Sequence, residues 1–202
     1  MSNSYGGKQR TIDPSNDAQY YNHPGIVITA AAGDDGYGVM YPAASQYVTS
    51  VGGTSLYHLK SGTRAWTEET WFGTGSGCAK YEAKPSWQTD KGCARRADND
   101  VAAVADPFTG VAVYDTYDDL GWTEVGGASA SSPIIASVYA LAGTPAAGTY
   151  PASYPYAHTG HLYDVTSGTN GVCTRLYLCE AKKGYDGPTG SGTPEGIAAF
   201  TP

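Results

Sequence analysis

Two short glycine-rich segments carry side chains that could perform acyl transfer. The first, residues 126–133, reads Gly-Gly-Ala-Ser-Ala-Ser-Ser-Pro and places Ser129 where a helix is predicted to begin. Small neighbours let a peptide backbone approach this hydroxyl, and helix N–H groups can stabilise negative charge developing on a carbonyl oxygen. A serine that only caps a helix gives the same pattern, so this segment alone leaves both interpretations open.

The second segment, residues 32–38, reads Ala-Gly-Asp-Asp-Gly-Tyr-Gly and follows a continuous apolar run. Such runs are typical of a parallel strand buried on both faces, and open α/β sheets place their sites where these strands end. Asp34 is therefore expected to point into a cleft, with a plain Asx turn as the alternative.

The pattern of apolar residues predicts which elements position these segments. Strands are predicted over 25–33, as a central strand, and over 47–51, 101–105 and 111–114. The second run stops at Gly52-Gly53, and helical spacing predicts a helix over 131–141 with Pro133 in its first turn. We expect a single domain, with the sheet and helix in 1–143 and an irregular, Pro/Gly/Tyr-rich tail in 144–202.

Composition restricts the class of partner. Charged residues make up 15% of the chain, the formal net charge is -7, and no basic cluster exceeds the pairs Arg95-Arg96 and Lys182-Lys183. These features argue against nucleic acid or a membrane as the main partner. The chain also has no stretch of membrane-spanning length.

The four cysteines form two couples that are close in sequence, Cys78 with Cys93 and Cys173 with Cys179. This arrangement predicts two disulfides, because the chain has no C-x-x-C and its histidines lack zinc-site spacing. Disulfides indicate a secreted, extracellular protein. The N-terminus has no apolar signal region, so we expect an upstream segment to be missing.

Several motifs together resemble the sedolisin (serine-carboxyl peptidase) family of the subtilisin-like superfamily. Besides 32–38 and 126–133, they are Ser4-Tyr5-Gly6, His23-Pro24-Gly25, Tyr41-Pro42-Ala43-Ala44-Ser45, 47–54, Gly75-Ser76-Gly77, Pro85-Ser86-Trp87-Gln88, Asp100-Val101 and 105–110. The resemblance spans nearly the whole chain, and the chain is similar to the C-terminal part of a sedolisin catalytic domain. It implies an α/β, three-layer, subtilisin-like fold whose mainly parallel sheet is incomplete at the N-terminal side.

The resemblance also implies catalytic roles, with Ser129 attacking the peptide carbonyl and Asp34 stabilising the oxyanion. A protonated carboxyl can donate a hydrogen bond to an oxyanion, whereas an ionised one would repel it, so this role favours acidic pH. The family's base is a glutamate supported by an aspartate, at Glu-x-x-x-Asp spacing upstream of the Ser-Tyr-Gly motif, and this chain has no such pair there. Asp13 and Asp17 share the spacing, but they follow the motif beside Pro14 and are predicted to be loop residues. We therefore expect feeble or no hydrolysis of peptide or protein substrates by this chain alone.

Complementation by a separate N-terminal segment of the same precursor would restore activity. Three other interpretations are a non-catalytic secreted module that keeps the scaffold only for binding or structure, a fragment that results from a mis-assigned start or an engineered truncation, and a subtilisin. A subtilisin-type histidine base is disfavoured, because neither His23 nor His58 lies in a His-Gly-Thr setting. The chain also departs from the family in Ala128, which replaces a threonine, and in Cys78, which replaces a glycine.

In sedolisins, elements that correspond to the tail of this chain bind calcium. The resemblance implies one structural Ca²⁺ with Asp164 and Asp186 as side-chain ligands and the carbonyls of Val165, Lys182 and Gly184 as backbone ligands. Carboxylate and carbonyl oxygens are the ligands that Ca²⁺ prefers, and an ion would order an aperiodic tail. Plain Asp-Gly turns are the alternative.

Overall fold

A computed structural model describes residues 1–62, 64–119 and 121–202 of the chain. The strands are β1 (Ser2–Asn3), β2 (Gly7–Lys8), β3 (Thr29–Ala31), β4 (Met40–Tyr41), β5 (Thr49–His58), β6 (Trp66–Thr70), β7 (Val101–Val104), β8 (Val111–Asp115), β9 (Gly121–Val125), β10 (Leu162–Tyr163) and β11 (Thr193–Pro194). The α-helices are α1 (Asp13–Tyr20), α2 (Ala128–Ala142) and α3 (Tyr154–Ala157). Short 3-10 helices cover Pro107–Thr109, Tyr117–Asp119, Pro151–Ser153, Thr159–His161, Leu176–Leu178 and Ala198–Phe200.

The central sheet is mainly parallel, as the sequence predicts. Its strands run in the order β1-β3-β5-β6, and β7 pairs with β5. The pairs β1/β3, β3/β5 and β5/β7 are parallel, whereas the far end of β5 turns into an antiparallel ladder with β6. The predicted strand over 25–33 lies between β1 and β5, although only its residues Thr29–Ala31 are in the ladder. The α/β fold class is confirmed.

Strand β5 does not end at the Gly52-Gly53 pair, contrary to the sequence prediction. The strand continues to His58, and both glycines pair with β7. A Cβ on Gly52 would lie 2.2 Å from the Pro188 carbonyl oxygen, and one on Gly53 would lie 2.5 Å from Ala105 Cβ. These glycines therefore allow close packing within the strand and do not end it.

Helix α2 packs on β3, β5 and β7 over the main hydrophobic core. The core contains Val51, Val101, Ala103, Ile135, Tyr139, Tyr154, Leu162, Ala199 and Phe200. The helix begins at Ala128, three residues earlier than predicted, so Pro133 is inside the helix and not in its first turn. The helix starts early because Asp34, which is distant in sequence, accepts a hydrogen bond from the Ala128 N–H. The local sequence around the helix does not reveal this contact.

Asp13 and Asp17 lie on a helix, so their prediction as loop residues is wrong. Both are in α1 and both side chains are 1% exposed. Pro14 stands in the first turn of α1, where a proline is tolerated, and the Asp13 carboxylate accepts the Arg10 N–H at 2.5 Å. The polar sequence of α1 has no apolar stripe, which is why periodicity did not reveal the helix.

Both predicted disulfides are present and hold the irregular part of the chain. Cys78 is joined to Cys93, and Cys173 to Cys179. The cysteines pack with Ala97, Leu178 and neighbouring tyrosines in a separate small core, which ties the tail to the loop 78–93. None of the helices that the structure describes has the length and apolar character needed to span a bilayer.

Candidate active site

Ser129 and Asp34 line the same cleft at the carboxyl ends of the parallel strands. The cleft has a volume of about 250 Å³. Its lining consists of Ser4, Tyr5, Gly6, Ala31, Gly33, Asp34, Asp35, Met40 and Ser129. The segments after β1 and β3 and the first turn of α2 thus meet at one edge of the sheet, which is where open α/β folds place their sites.

Asp34 caps the N-terminus of α2. Its Oδ1 accepts the Ala128 N–H at 2.6 Å, and a Cβ on Gly127 would lie 3.0 Å from its Oδ2. Gly127 also has φ +89°, a conformation that favours glycine. Gly127 is therefore needed for the approach of Asp34 to the helix, and the helix N-terminus stabilises negative charge at this place.

The carbonyl of Ser129 receives its hydrogen bond from the opposite side of the cleft. In a regular helix this oxygen would accept the N–H of residue 133, but Pro133 has none. The Ser4 hydroxyl donates to the Ser129 oxygen at 3.1 Å instead. The residue after β1 is thus bonded to the backbone of the serine on α2.

A buried chain of hydroxyl groups fixes the same turn of α2 to two strands. Ser132 Oγ lies 2.9 Å from Ser2 Oγ on β1 and 2.9 Å from Thr29 Oγ1 on β3. Thr29 Oγ1 also donates to the Ser132 carbonyl at 3.1 Å. These contacts hold the first turns of α2 in register with the sheet, so the position of Ser129 is set by packing rather than by a flexible loop.

The Ser129 hydroxyl itself is exposed. Within residues 1–62, 64–119 and 121–202, no hydrogen bond joins Ser129 Oγ to a carboxylate or an imidazole. A serine hydroxyl is a poor nucleophile unless a neighbouring base takes its proton. The described residues therefore place Asp34 and Ser129 together without such a base.

The five residues predicted to bind calcium come together around the loop 182–186. Asp164 Oδ2 accepts the Gly184 N–H at 2.9 Å, and Asp186 Oδ2 accepts the Lys182 N–H at 2.9 Å. Val165, next to Asp164, is buried. Among the described residues, no group of three or more His, Cys, Asp or Glu side chains is arranged to hold a metal ion, so an ion here would depend on backbone oxygens as well.

The electrostatics of this loop fit a cation. Burial, with a smaller contribution from the nearby Asp164 carboxylate, raises the pKa of Asp186 to about 7, against the lowering effect of the hydrogen bonds from Lys182 and Thr189. Among the described residues, no salt bridge joins Asp164 or Asp186 to a cationic side chain, and the nearby Lys182 ammonium lies 3.9 Å from Glu180. A divalent ion would supply the missing positive charge. A cavity of about 690 Å³, lined in part by Trp87, Asp164 and Gly184, opens beside the loop.

Sequence reasoning missed the buried charged residues of the loop 78–100. Arg96 and Asp100 are both fully buried and form a bidentate ion pair, with nitrogen to oxygen distances of 2.7 and 2.9 Å. Glu82 is 1% exposed. The one signal in the sequence is the i,i+4 spacing of Arg96 and Asp100, which is equally typical of a solvated surface pair.

The chain is similar in sequence to several peptidases, although no protein-family model matches it. It is 33% identical to kumamolisin of Bacillus sp. (strain MN-32) over 201 residues, which cover 86% of this chain and 35% of that protein. It is 36% identical to sedolisin of Pseudomonas sp. (strain 101) over 178 residues, which cover 78% of this chain and 29% of that protein. The chain thus spans about a third of the length of these relatives.

The fold of the chain is also similar to that of solved peptidase structures. A solved structure of Pseudomonas sedolisin, a serine-carboxyl proteinase complexed with two molecules of pseudo-iodotyrostatin, has a TM-score of 0.77 and 27% identity. The match covers 96% of this chain and 62% of that one. A psychrophilic protease, S41, shares the fold at a TM-score of 0.63 and 22% identity. By sequence and by fold, this chain belongs to the sedolisin family of serine-carboxyl peptidases.

Proposed function

We propose that this chain carries the nucleophile and the oxyanion-stabilising group of a serine-type endopeptidase. The observation that carries the proposal is the shared cleft of Ser129 and Asp34. Ser129 would attack the peptide carbonyl, and Asp34, once protonated, would donate a hydrogen bond to the oxyanion. Asp34 Oδ1 already accepts an N–H, which leaves Oδ2 for that donation. The role requires a neutral carboxyl, so the proposed activity is highest at acidic pH.

The chain alone is proposed to hydrolyse peptides feebly or not at all. The exposed Ser129 hydroxyl has no base bonded to it among the described residues, and losing one member of such a catalytic unit removes several orders of magnitude of rate. A further segment of the same precursor that carries the Glu-x-x-x-Asp helix would supply the base. The 62% coverage of the solved sedolisin chain supports this partner, because over a third of that chain has no counterpart here.

The substrates are proposed to be peptides or proteins in an acidic, extracellular setting. The family membership supports a polypeptide substrate, and the two disulfides support an oxidising compartment. One structural Ca²⁺ is proposed at Asp164 and Asp186, with backbone oxygens of Val165, Lys182 and Gly184. Its role would be to neutralise the two carboxylates and hold the loop 182–186 to β10.

The alternative function is a non-catalytic secreted module that uses the same cleft for binding. The unpartnered Ser129 hydroxyl favours it for the chain as it stands. The cleft would then bind polypeptides without cleaving them.

Peptide cleavage at about pH 4 separates the two functions. The chain is tested alone and with an added segment that carries the Glu-x-x-x-Asp helix, and Ser129→Ala and Asp34→Asn are tested in the same mixtures. We expect cleavage only in the mixture, its loss in Ser129→Ala, and a fall of about 10²- to 10³-fold in Asp34→Asn. Equal rates for the wild-type chain and Ser129→Ala in every mixture would remove the peptidase proposal.

A further inference from the structure

Three carboxyl groups are buried together outside the cleft. Asp13 and Asp17 are on α1, and Glu82 is in the loop closed by the Cys78–Cys93 disulfide. Each of the three side chains is 1% exposed. Within the described residues, one oxygen of each has no hydrogen-bond donor, namely Asp13 Oδ1, Asp17 Oδ2 and Glu82 Oε1. Buried carboxylate oxygens are normally bonded, so these three need an explanation.

Nearby cations do not provide it. The Arg96 guanidinium is fully buried close to the cluster, but its nitrogens donate to Asp100 and to the Val48 carbonyl. Its remaining Nε has no acceptor. Arg10 lies 3.6 Å from Asp13 Oδ1 but is largely exposed. Asp17 and Glu82 interact with each other through their side chains. Among the described residues, no salt bridge joins a cation to either of them.

Two ionised carboxylates in contact inside a protein repel each other strongly, because the interior screens charge poorly. A metal ion is one way to remove this repulsion, but the described residues contain no such group arranged for a metal. A single proton is the other way, since it makes one group neutral and lets it donate to the other. It also supplies a hydrogen-bond donor to a cluster in which Asp17 Oδ2 and Glu82 Oε1 have none among the described residues.

We propose that Asp17 and Glu82 form a proton-binding site in which the two carboxyl groups share one proton. The shared proton fastens α1 to the loop 78–93, so the fold itself requires a proton at this place. Neither the proposed nucleophile nor the proposed oxyanion group takes part. The proposal therefore stands or falls independently of peptidase activity.

The surroundings of the pair favour the shared proton. Burial, together with the neighbouring Asp17 and Asp13 carboxylates, raises the pKa of Glu82 to about 8, against the lowering effect of the Arg96 charge. Burial also raises the pKa of Asp17, against its hydrogen bonds with Glu82, Ser45 and Tyr41 and the charge of Arg96. The remaining titratable neighbours are the hydroxyl groups of Tyr21, Tyr41 and Tyr47, whose pKa values burial raises above the ordinary range.

The site is joined to the cleft by two hydrogen bonds. Tyr41 donates to Asp17 Oδ1 at 3.0 Å and belongs to β4, next to the cleft residue Met40. The hydroxyl of Tyr5, another cleft residue, lies 3.0 Å from that of Tyr21, the residue that follows α1. Loss of the proton would thus loosen α1 beside one wall of the cleft.

The shared proton should make the fold less stable as pH rises, because folding raises the pKa of Glu82. A carboxyl whose pKa rises from 4.5 in the unfolded chain to about 8 in the fold binds its proton more tightly when folded. This contribution to stability is complete below the unfolded value and is lost as pH rises through the folded value. The fold is therefore expected to weaken between about pH 5 and about pH 8.

Glu82→Gln tests the proposal, because an amide donates a hydrogen bond to Asp17 at every pH. Thermal midpoints are measured from about pH 5 to about pH 9 for the wild type, for Glu82→Gln and for the matched control Glu195→Gln, whose side chain is exposed. We expect the midpoint of the wild type and of the control to fall with pH by at least about 3 °C more than that of Glu82→Gln. Parallel profiles for all three proteins would overturn the proposal.

A second measurement keeps the test decisive if Glu82→Gln does not fold. The chain has six glutamates, Glu68, Glu69, Glu82, Glu124, Glu180 and Glu195. Labelling their carboxyl carbons with ¹³C lets each titration be followed by NMR in the native wild-type protein. We expect one of the six signals to titrate near pH 8. Completion of all six titrations below about pH 6 would overturn the proposal.

Discussion

Asp34 and Glu82 are both acidic residues of loops, and both pack against a helix. Asp34 is exposed at the cleft, and the first N–H of α2 donates to it. Glu82 is 1% exposed, and its Oε1 has no donor among the described residues. Negative charge is thus stabilised at the cleft and penalised in the interior.

Because of this difference, acidic pH can favour the protein in two separate ways, through its proposed activity and through its stability. In the proposed peptidase, a neutral Asp34 is needed for chemistry, and the apolar surroundings that favour it would have to come from bound substrate or a further segment. At Glu82 the surroundings are already present, so acid stabilises the fold without any substrate. A pH profile of activity would therefore contain both effects, whereas a pH profile of stability reports the buried carboxyls such as Glu82 and needs no substrate.

Removing the cation from a buried ion pair should have the largest effect on stability. Asp100 is as buried as Glu82, but Arg96 binds it through two nitrogens. In Arg96→Met the Asp100 charge stays buried without its cation, so we expect a loss of about 3–5 kcal/mol in the free energy of unfolding. Urea denaturation measures it, with the exposed neighbour Arg95→Met as the matched control. Similar losses in the two variants would show that the ion pair does not stabilise the fold.

Calcium should have the next largest effect, and it should grow with pH. Without a cation, the raised pKa of Asp186, about 7 against 3.8 unfolded, makes stability fall as pH rises through that range. Ca²⁺ would bind the ionised form, so its stabilisation should reach about 2.7 kcal/mol at a hundredfold excess over its Kd and shrink toward acid pH.

Thermal melting with Ca²⁺ or with a chelator measures this difference. Asp186→Asn should abolish it, whereas Asp118→Asn, at an exposed acidic residue, should not. A chelator that leaves the wild-type midpoint unchanged at about pH 7 would remove the calcium proposal.

The cap of α2 should contribute less. Asp34→Ala removes the acceptor for the Ala128 N–H and should lower the free energy of unfolding by about 1 kcal/mol, whereas Asp34→Asn keeps an oxygen acceptor and should lower it by only a few tenths. Asp35→Ala, at the exposed neighbour, is the control. If Asp34→Ala and Asp35→Ala denature at the same urea concentration, the cap does not stabilise the helix.

The sequence predicted the parts of the fold that depend on apolar patterns. The buried runs around Thr29–Ala31 and Val101–Val104 and the apolar face of α2 need no knowledge of distant residues. The placing of Asp34 and Ser129 in one site was expected only through the family resemblance, and the capping of Ala128 by Asp34, 94 residues away, was not predicted.

The interior charges could not be predicted because their burial depends on tertiary contacts. Asp13 and Asp17 have the composition of a solvated turn, and the partners of Asp17 are distant in sequence, namely Tyr41 and Glu82. Gly52 and Gly53 likewise resemble the end of a strand until the close approach of Pro188 and Ala105 is known. The roles of Ser129 and Asp34 remain predictions, since the geometry brings them together without testing their chemistry.

The smallest effect should come from the hydrogen bond across the cleft, and a double-mutant cycle can isolate it. Ser4→Ala leaves the Ser129 carbonyl without its donor, so we expect a loss of about 0.5–1 kcal/mol in the free energy of unfolding. Pro133→Ala returns a backbone N–H to the position that normally bonds this carbonyl. In that background Ser4→Ala should cost less, with a coupling of about 0.5 kcal/mol in urea denaturation. Additive losses would mean that the Ser4 hydroxyl does not replace the donor that Pro133 lacks.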